Sequence, residues 1–224
     1  MPPDGLTVIF VSNRPGGVGG YDLFEATRAS PDAAFDNAAP MMQLNTSADE
    51  YVPGITHDGL TLYFERYPGG HFKSTRTSTS LPFDVAVPAP ELGPLYAPTF
   101  THDANEAFWG HPTLYRAVYD GTTYVDQTQV FDTPEGEDGY PTLSSDALTL
   151  YFVAVRGVDP LRIYQSTRPA IDARFGPSAP VDELSLEQSD DPEISFDGRT
   201  LVFVSSRSPS KGGDDMFMST RTCQ

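Results

Sequence analysis

The stretch DGLTLYF, Asp58 to Phe64, decides how this chain folds. Versions of it begin at Asp4, Asp58, Asp103, Asp146 and Asp197, and the intervals between them leave no room for an unrelated segment. In the first copy, DGLTVIFVSNR, Leu6, Val8 and Phe10 alternate with Thr7 and Ile9, the period of a β-strand. Asp-Gly ahead of the alternation is a tight-turn signal. We call this element the ladder strand.

Working outward, each copy sits in the same string of features. A segment with a proline near its start (EYVPGIT, YAPTFT, YPTLSS, DPEISF) leads into the turn. After the ladder strand come a long loop, a strand ending in Ser-Thr-Arg (Ser74 to Arg76, Ser166 to Arg168, Ser219 to Arg221), and a short strand near a Phe and a Pro. Four antiparallel strands per repeat predict one propeller blade each. The expected fold is therefore all-β, a five-bladed β-propeller in a single domain over 1–224, with units near 4–49, 50–95, 96–138, 139–189 and 190–224. The third unit is degenerate, with Asp-Ala at its turn and no Ser-Thr-Arg.

Unit one starts at its ladder strand and unit five ends without an outermost strand, so five ladder strands meet only four inner strands. Incomplete closure at the termini is expected. It follows from a chain shortened relative to its parent, from irregular closure, or from pairing of the open edge with another chain.

Composition agrees with many short strands joined by turns: 21 prolines and 19 glycines, with 12% aromatic residues. The formal charge of −17 excludes a phosphate backbone as partner, so nucleic acid is not expected. An acidic surface first of all keeps a protein soluble. The single cysteine, Cys223, allows no internal disulfide, and no apolar run is long enough for membrane insertion. The opening MPPDGLTV lacks the features of a secretion signal.

Taken together, Pro-x-apolar-Ser/Thr, then Asp-Gly-x-Thr-apolar-aromatic-Phe, then SNRPGGVGGYDLF (Ser12 to Phe24) resemble the WD-repeat-like β-propeller repeats of TolB-type proteins. The resemblance covers nearly the whole chain and is weakest in unit three. It implies a β-propeller, a periplasmic or extracellular location in a bacterium, and use as a protein-binding or scaffold module. It names no reaction, because propellers host unrelated functions.

Function is expected on the face carrying the long loops, Asn13 to Tyr21, Arg66 to His71, Gly110 to Pro112, Arg156 to Pro160 and Ser206 to Asp215. Glu50, Asp138 and Asp190 precede the inner-strand prolines and are expected to rim the channel. Arg14, Arg156 and Arg207 stand four residues after ladder phenylalanines, and Arg66 two after Phe64. The structural reading pairs these arginines with Asp22 or Asp215 of the same blade, or with a neighbouring carboxylate. The functional reading has the inner carboxylates hold calcium, as hard oxygen ligands. PGGVGG lacks the Lys-Ser/Thr of a phosphate loop, and its glycines are expected to serve left-handed turns. Trp109 and His111 fall in the irregular unit, where packing competes with a sugar-stacking role. His57 and His102 share one repeat position, which points to structure.

The reading is a non-catalytic binding or scaffold module, for a protein partner, working through the long-loop face. The alternative is a carbohydrate-binding or glycoside hydrolase-like propeller, with a glycan as partner and Glu50, Asp138 and Asp190 as its only plausible acid and base set.

Overall fold

Alternation with period two and Asp-Gly turns produce strands wherever they recur. A computed structural model describes residues 1–110, 112–132, 136–157, 160–184, 188–209 and 213–221. The chain divides into two compact units, residues 1–97 with 121–123, and the remainder.

The first unit holds two antiparallel sheets. One has three strands, β1 (Thr7–Ser12), β2 (Asp22–Thr27) and β3 (Asp36–Pro40), in that order. The other has four, β4 (Asp49–Ile55), β5 (Thr61–Tyr67), β6 (Gly70–Thr75) and β7 (Val87–Pro88), followed by a short 3-10 turn at Pro90–Leu92. The second unit holds three sheets. Strands β8 (Thr99–Phe100), β9 (Glu106–Trp109), β10 (Tyr115–Tyr119) and β11 (Tyr124–Gln129) form the first. Strands β12 (Glu137–Leu143), β13 (Thr149–Val155), β14 (Arg162–Thr167) and β15 (Ala179–Pro180) form the second. The third is β16 (Ser189–Ile194), β17 (Thr200–Ser205) and β18 (Asp215–Thr220). These are the five blades of an all-β propeller fold. Among the described residues the first blade has no inner strand and the fifth no outermost strand, the asymmetry legible in the repeats.

Because alternate residues point to opposite faces, each sheet packs on both sides. In β13, Leu150, Phe152 and Ala154 join Phe108, Leu114 and Phe175, while Tyr151 joins Ile163, Leu201 and Phe203. In the first unit Leu23 and Leu44 pack with Leu62, Phe64 and Phe83. Phe64, Phe108, Phe152 and Phe203 are all buried.

The turns before the ladder strands are built alike. The carboxylate of Asp4, Asp58, Asp103, Asp146 or Asp197 accepts the backbone N–H two residues on, at 2.9 to 3.1 Å. In four blades it also accepts the hydroxyl of Thr56, Thr101, Ser144 or Ser195. These bonds to the charged form hold Asp103 and Asp146 below the usual carboxylate range, led by the backbone N–H for Asp103 and by the Ser144 hydroxyl for Asp146.

The arginine that closes Ser-Thr-Arg, or Ala-Thr-Arg in the first blade, latches the same turn. Arg28, Arg76, Arg168 and Arg221 donate Nε–H to the carbonyls of Gly5, Gly59, Ala147 and Gly198 at 2.6 to 2.8 Å. Arg28, Arg76 and Arg168 also lie over Phe35, Phe83 and Phe175. In the degenerate third blade the Tyr124 hydroxyl donates to the Ala104 carbonyl at 3.0 Å, and Tyr119 stands beside it. A phenol has replaced the guanidinium without loss of the hydrogen bond.

Candidate functional site

Two of the three inner carboxylates are used inside their own blades. Glu50 on β4 is fully buried, accepts Arg66 Nε–H at 3.0 Å, and takes the Thr46 hydroxyl at 2.7 Å. Arg66 donates a second bond to the Leu44 carbonyl at 2.9 Å. Asp138 on β12 is 1% exposed and pairs with Arg156 at 2.6 Å. Arg66 lies two residues and Arg156 four residues after the ladder phenylalanine. Both offsets are even, so both side chains project from the same face of the strand and reach the same inner-strand position.

The third carboxylate does not belong to this set. Register pairs Glu50 with Arg66 and Asp138 with Ala154, each two residues past the phenylalanine, and pairs Ser189 with Ser205 at the same place. Ser189, not Asp190, is therefore the third member. It is fully buried and accepts Arg207 Nη2–H at 2.8 Å. Arg207 also donates to the Leu184 carbonyl, the counterpart of Leu44.

Asp190 stands one residue nearer its proline than Glu50 and Asp138 do, and in β4, β12 and β16 the pairing shifts at a bulge just after that position, between Tyr51 and Gly54, Gly139 and Thr142, and Asp190 and Glu193. Val52, Ala97, Tyr140 and Asp191, each immediately before a proline, have φ of 45 to 49°. A left-handed backbone at a non-glycine residue stores strain, most of all at β-branched Val52. Within the bulge, Asp191 retains exposed surface but is hemmed in by protein. Desolvation, with the charge of Asp190 second, pushes its carboxyl up to about 7.

Three of the four arginines that follow the ladder phenylalanines stack on a cross-strand aromatic pair. Arg66 lies over Phe64 and Phe72, Arg207 over Phe203 and Phe217, and Arg14 over Phe10 and Phe24, at 4.3 to 5.5 Å. Arg156 lies over Tyr164 at 5.0 Å. Arg14 is exposed, and its side-chain hydrogen bond goes to Ser12 at 2.8 Å.

Asp138 and Arg156 line a cavity of about 250 Å³ with Val130, Phe131 and Phe175. That is smaller than the sites that usually enclose organic ligands. Among the described residues, no three His, Cys, Asp or Glu side chains are grouped to hold a metal ion. Trp109 is 5% exposed and stacks on Tyr115 across the sheet. His102 lies against Phe196, and His111 falls outside the described residues.

The glycine-rich loop answers to close approach more than to left-handed turns. The Asp22 carboxylate accepts the Val18 and Gly19 N–H groups, and Asp49 accepts those of Gly20 and Tyr21. A Cβ on Gly17 would stand 2.0 Å from Asp22 Oδ2, and one on Gly19 2.2 Å from the Ala48 carbonyl. Only Gly16 in this loop has a positive φ. Asp22 thus serves backbone amides, while Arg14 bonds Ser12.

The same end of the first unit gathers tyrosines that the repeats alone did not single out. Tyr21 and Tyr51 stand 5.3 Å apart, and the Tyr51 hydroxyl donates to Asp49 at 3.2 Å. Burial first, then Asp49, then Tyr21 and Tyr96 raise the Tyr51 phenol above its ordinary value, so Tyr51 keeps its proton. Tyr21 is 42% exposed, and Tyr67, at the end of β5, is 67% exposed.

No protein-family profile matches the chain, and no curated protein matches it. Among solved structures, TolB from Acinetobacter baumannii is similar at a TM-score of 0.56 and 13% identity, over 97% of this chain and 51% of that one. The GH43 protein BlXynB from Bacillus licheniformis is similar at 0.58 and 13%, over 98% and 51%. A chain of a nidogen/laminin complex is similar at 0.53 and 14%, over 89% and 70%. The chain thus spans about half the length of the TolB and GH43 structures it matches. At these identities the likeness concerns the fold alone, and that fold is the β-propeller.

Proposed function

We propose that this chain is a non-catalytic binding or scaffold module of the TolB-like kind, its five blades acting as one domain on a protein partner through the long-loop face. The observation that carries this reading is the surface at that end of the first unit, where Val18, Tyr21 and Tyr67 are exposed, the glycine-rich loop being held by buried Asp22 and half-buried Asp49. Tyrosine supplies large, stiff contact area and is enriched where proteins dock. Glu50 and Asp138, occupied by Arg66 and Arg156, are latches rather than acids and bases. A periplasmic or extracellular location in a bacterium belongs to the same reading, and cell fractionation tests it.

Cross-linked capture from a bacterial envelope fraction tests the function, with the Tyr21→Ser/Tyr67→Ser double variant in parallel. A defined partner held by the parent chain and lost by the double variant is expected. Equal capture by both, or no partner, counts against the reading.

One observation favours a second reading, a glycan-active propeller. Asp190 and Asp191 are adjacent carboxyl groups, and Asp191 holds its proton to about 7, the property a general acid needs. Turnover of aryl glycosides or polysaccharides that is lost in Asp191→Asn would support it. Absence of turnover, with no binding on a glycan array, would leave the first reading alone.

A further inference from the structure

Strand β1 carries one half of a contact that the other blades complete. In four sheets a ladder strand pairs on one side with a third strand and on the other with an inner strand. Among the described residues β1 pairs only with β2. Its chemistry is nevertheless that of the completed blades. Arg14 stands four residues after Phe10, as Arg156 and Arg207 stand after Phe152 and Phe203, and it lies over the Phe10–Phe24 pair in the way Arg207 lies over Phe203 and Phe217. Arg207 bonds Ser205 on its own strand and Ser189 on the inner strand. Arg14 bonds Ser12, the equivalent of Ser205, and among the described residues meets no carboxylate. It is exposed, and Phe10 is half-buried where Phe64, Phe152 and Phe203 are buried.

We propose that the open edge of β1 is a docking site for an extended partner segment of the pattern acid-x-x-Pro-x-apolar-Ser/Thr, whose carboxylate pairs with Arg14. The register follows from the completed blades. Glu50 faces Arg66, Tyr51 faces Glu65, and after the bulge Gly54 faces Tyr63 and Ile55 faces Leu62. Transferred to β1, the acid of the added strand faces Ser12, the next residue faces Val11, and pairing resumes at Ile9 and Val8. Backbone hydrogen bonds supply the attachment, as in other strand additions, and the acid and the proline-linked bulge supply selectivity. A carboxylate at this position brings an exposed guanidinium into a charge-assisted bond.

A labelled synthetic peptide copying residues 48–58, ADEYVPGITHD, is a suitable probe because it is the chain's own inner strand. Fluorescence anisotropy against the whole protein is expected to show saturable binding with a Kd below ~1 mM. Replacing the peptide's glutamate by alanine, or using the protein variant Arg14→Ala, is expected to weaken binding by roughly tenfold or more. Hydrogen exchange should show new protection at β1 amides. Arg14 is exposed, so its variant is expected to fold, and circular dichroism checks that. No saturable binding, binding indifferent to Arg14, or protection at β5 in place of β1 would each overturn the proposal.

Discussion

Arg66 Nε donates to the fully buried carboxylate of Glu50 at 3.0 Å, while Arg66 Nη2 donates to the Leu44 carbonyl and the guanidinium lies 4.3 Å from the centre of Phe72. One side chain thereby ties an inner strand, its incoming link and an aromatic pair together. Arg207 reproduces the arrangement with a serine in place of the acid. A charged position that repeats in this way is accounted for by contacts within the blade.

The turn latches are expected to differ in strength with their chemistry. Tyr124→Phe removes one neutral hydrogen bond to Ala104 and is expected to cost about 0.5–1.5 kcal/mol. Arg168→Met removes a charge-assisted bond to Ala147, the ion pair to Glu106 and the contact with Phe175, and is expected to cost about 2–4 kcal/mol. Urea unfolding of both variants checks the order. A larger loss for Tyr124→Phe would contradict the assignment.

Asp191 makes stability depend on pH with a definite sign. Its folded-state pKa, about 7, lies above the unfolded value near 3.9, so the folded chain binds the proton more tightly. This contribution is fully present below about pH 4 and is lost as pH rises through about 7. The Asp191→Asn variant is expected to lack that decline. Carboxyl-carbon NMR should place the Asp191 titration near neutrality, and a midpoint near 4 would contradict it.

The inner-strand bulge predicts an unusual tolerance. Val52 holds a φ of 45°, which costs a β-branched residue roughly 1–2 kcal/mol. Glycine adopts this conformation freely but loses more entropy on folding. Val52→Gly is therefore expected to be neutral or stabilising by up to ~1 kcal/mol, whereas Val8→Gly, in regular buried strand, is expected to cost more than about 2 kcal/mol. Thermal melts of the pair check this, and a large loss at Val52 would contradict it.

Five ladder strands and four inner strands were legible because period-two alternation and Asp-Gly turns are local signals. Arg76, Arg168 and Arg221 were legible as repeat positions because Ser-Thr-Arg recurs, but their acceptors, the turn carbonyls, emerge only when two strands align. The separation of Asp190 from Glu50 and Asp138 could have been found by counting, since those two lie three residues before their prolines and Asp190 two. That Tyr124 replaces an arginine could not, because the substitute comes from another strand. Nor could the crowding around Gly17 and Gly19, which depends on Asp22 and on a distant link.

A double-mutant cycle on Glu50 and Arg66, by urea unfolding of Glu50→Gln, Arg66→Met and the pair, tests most directly whether the inner carboxylates are structural. Each single change leaves a buried polar partner uncompensated and is expected to cost about 3–5 kcal/mol, with the double variant losing much less than the sum. A Glu50→Gln chain as stable as the parent, with additive losses, would contradict the account and return Glu50 to the candidates for chemistry.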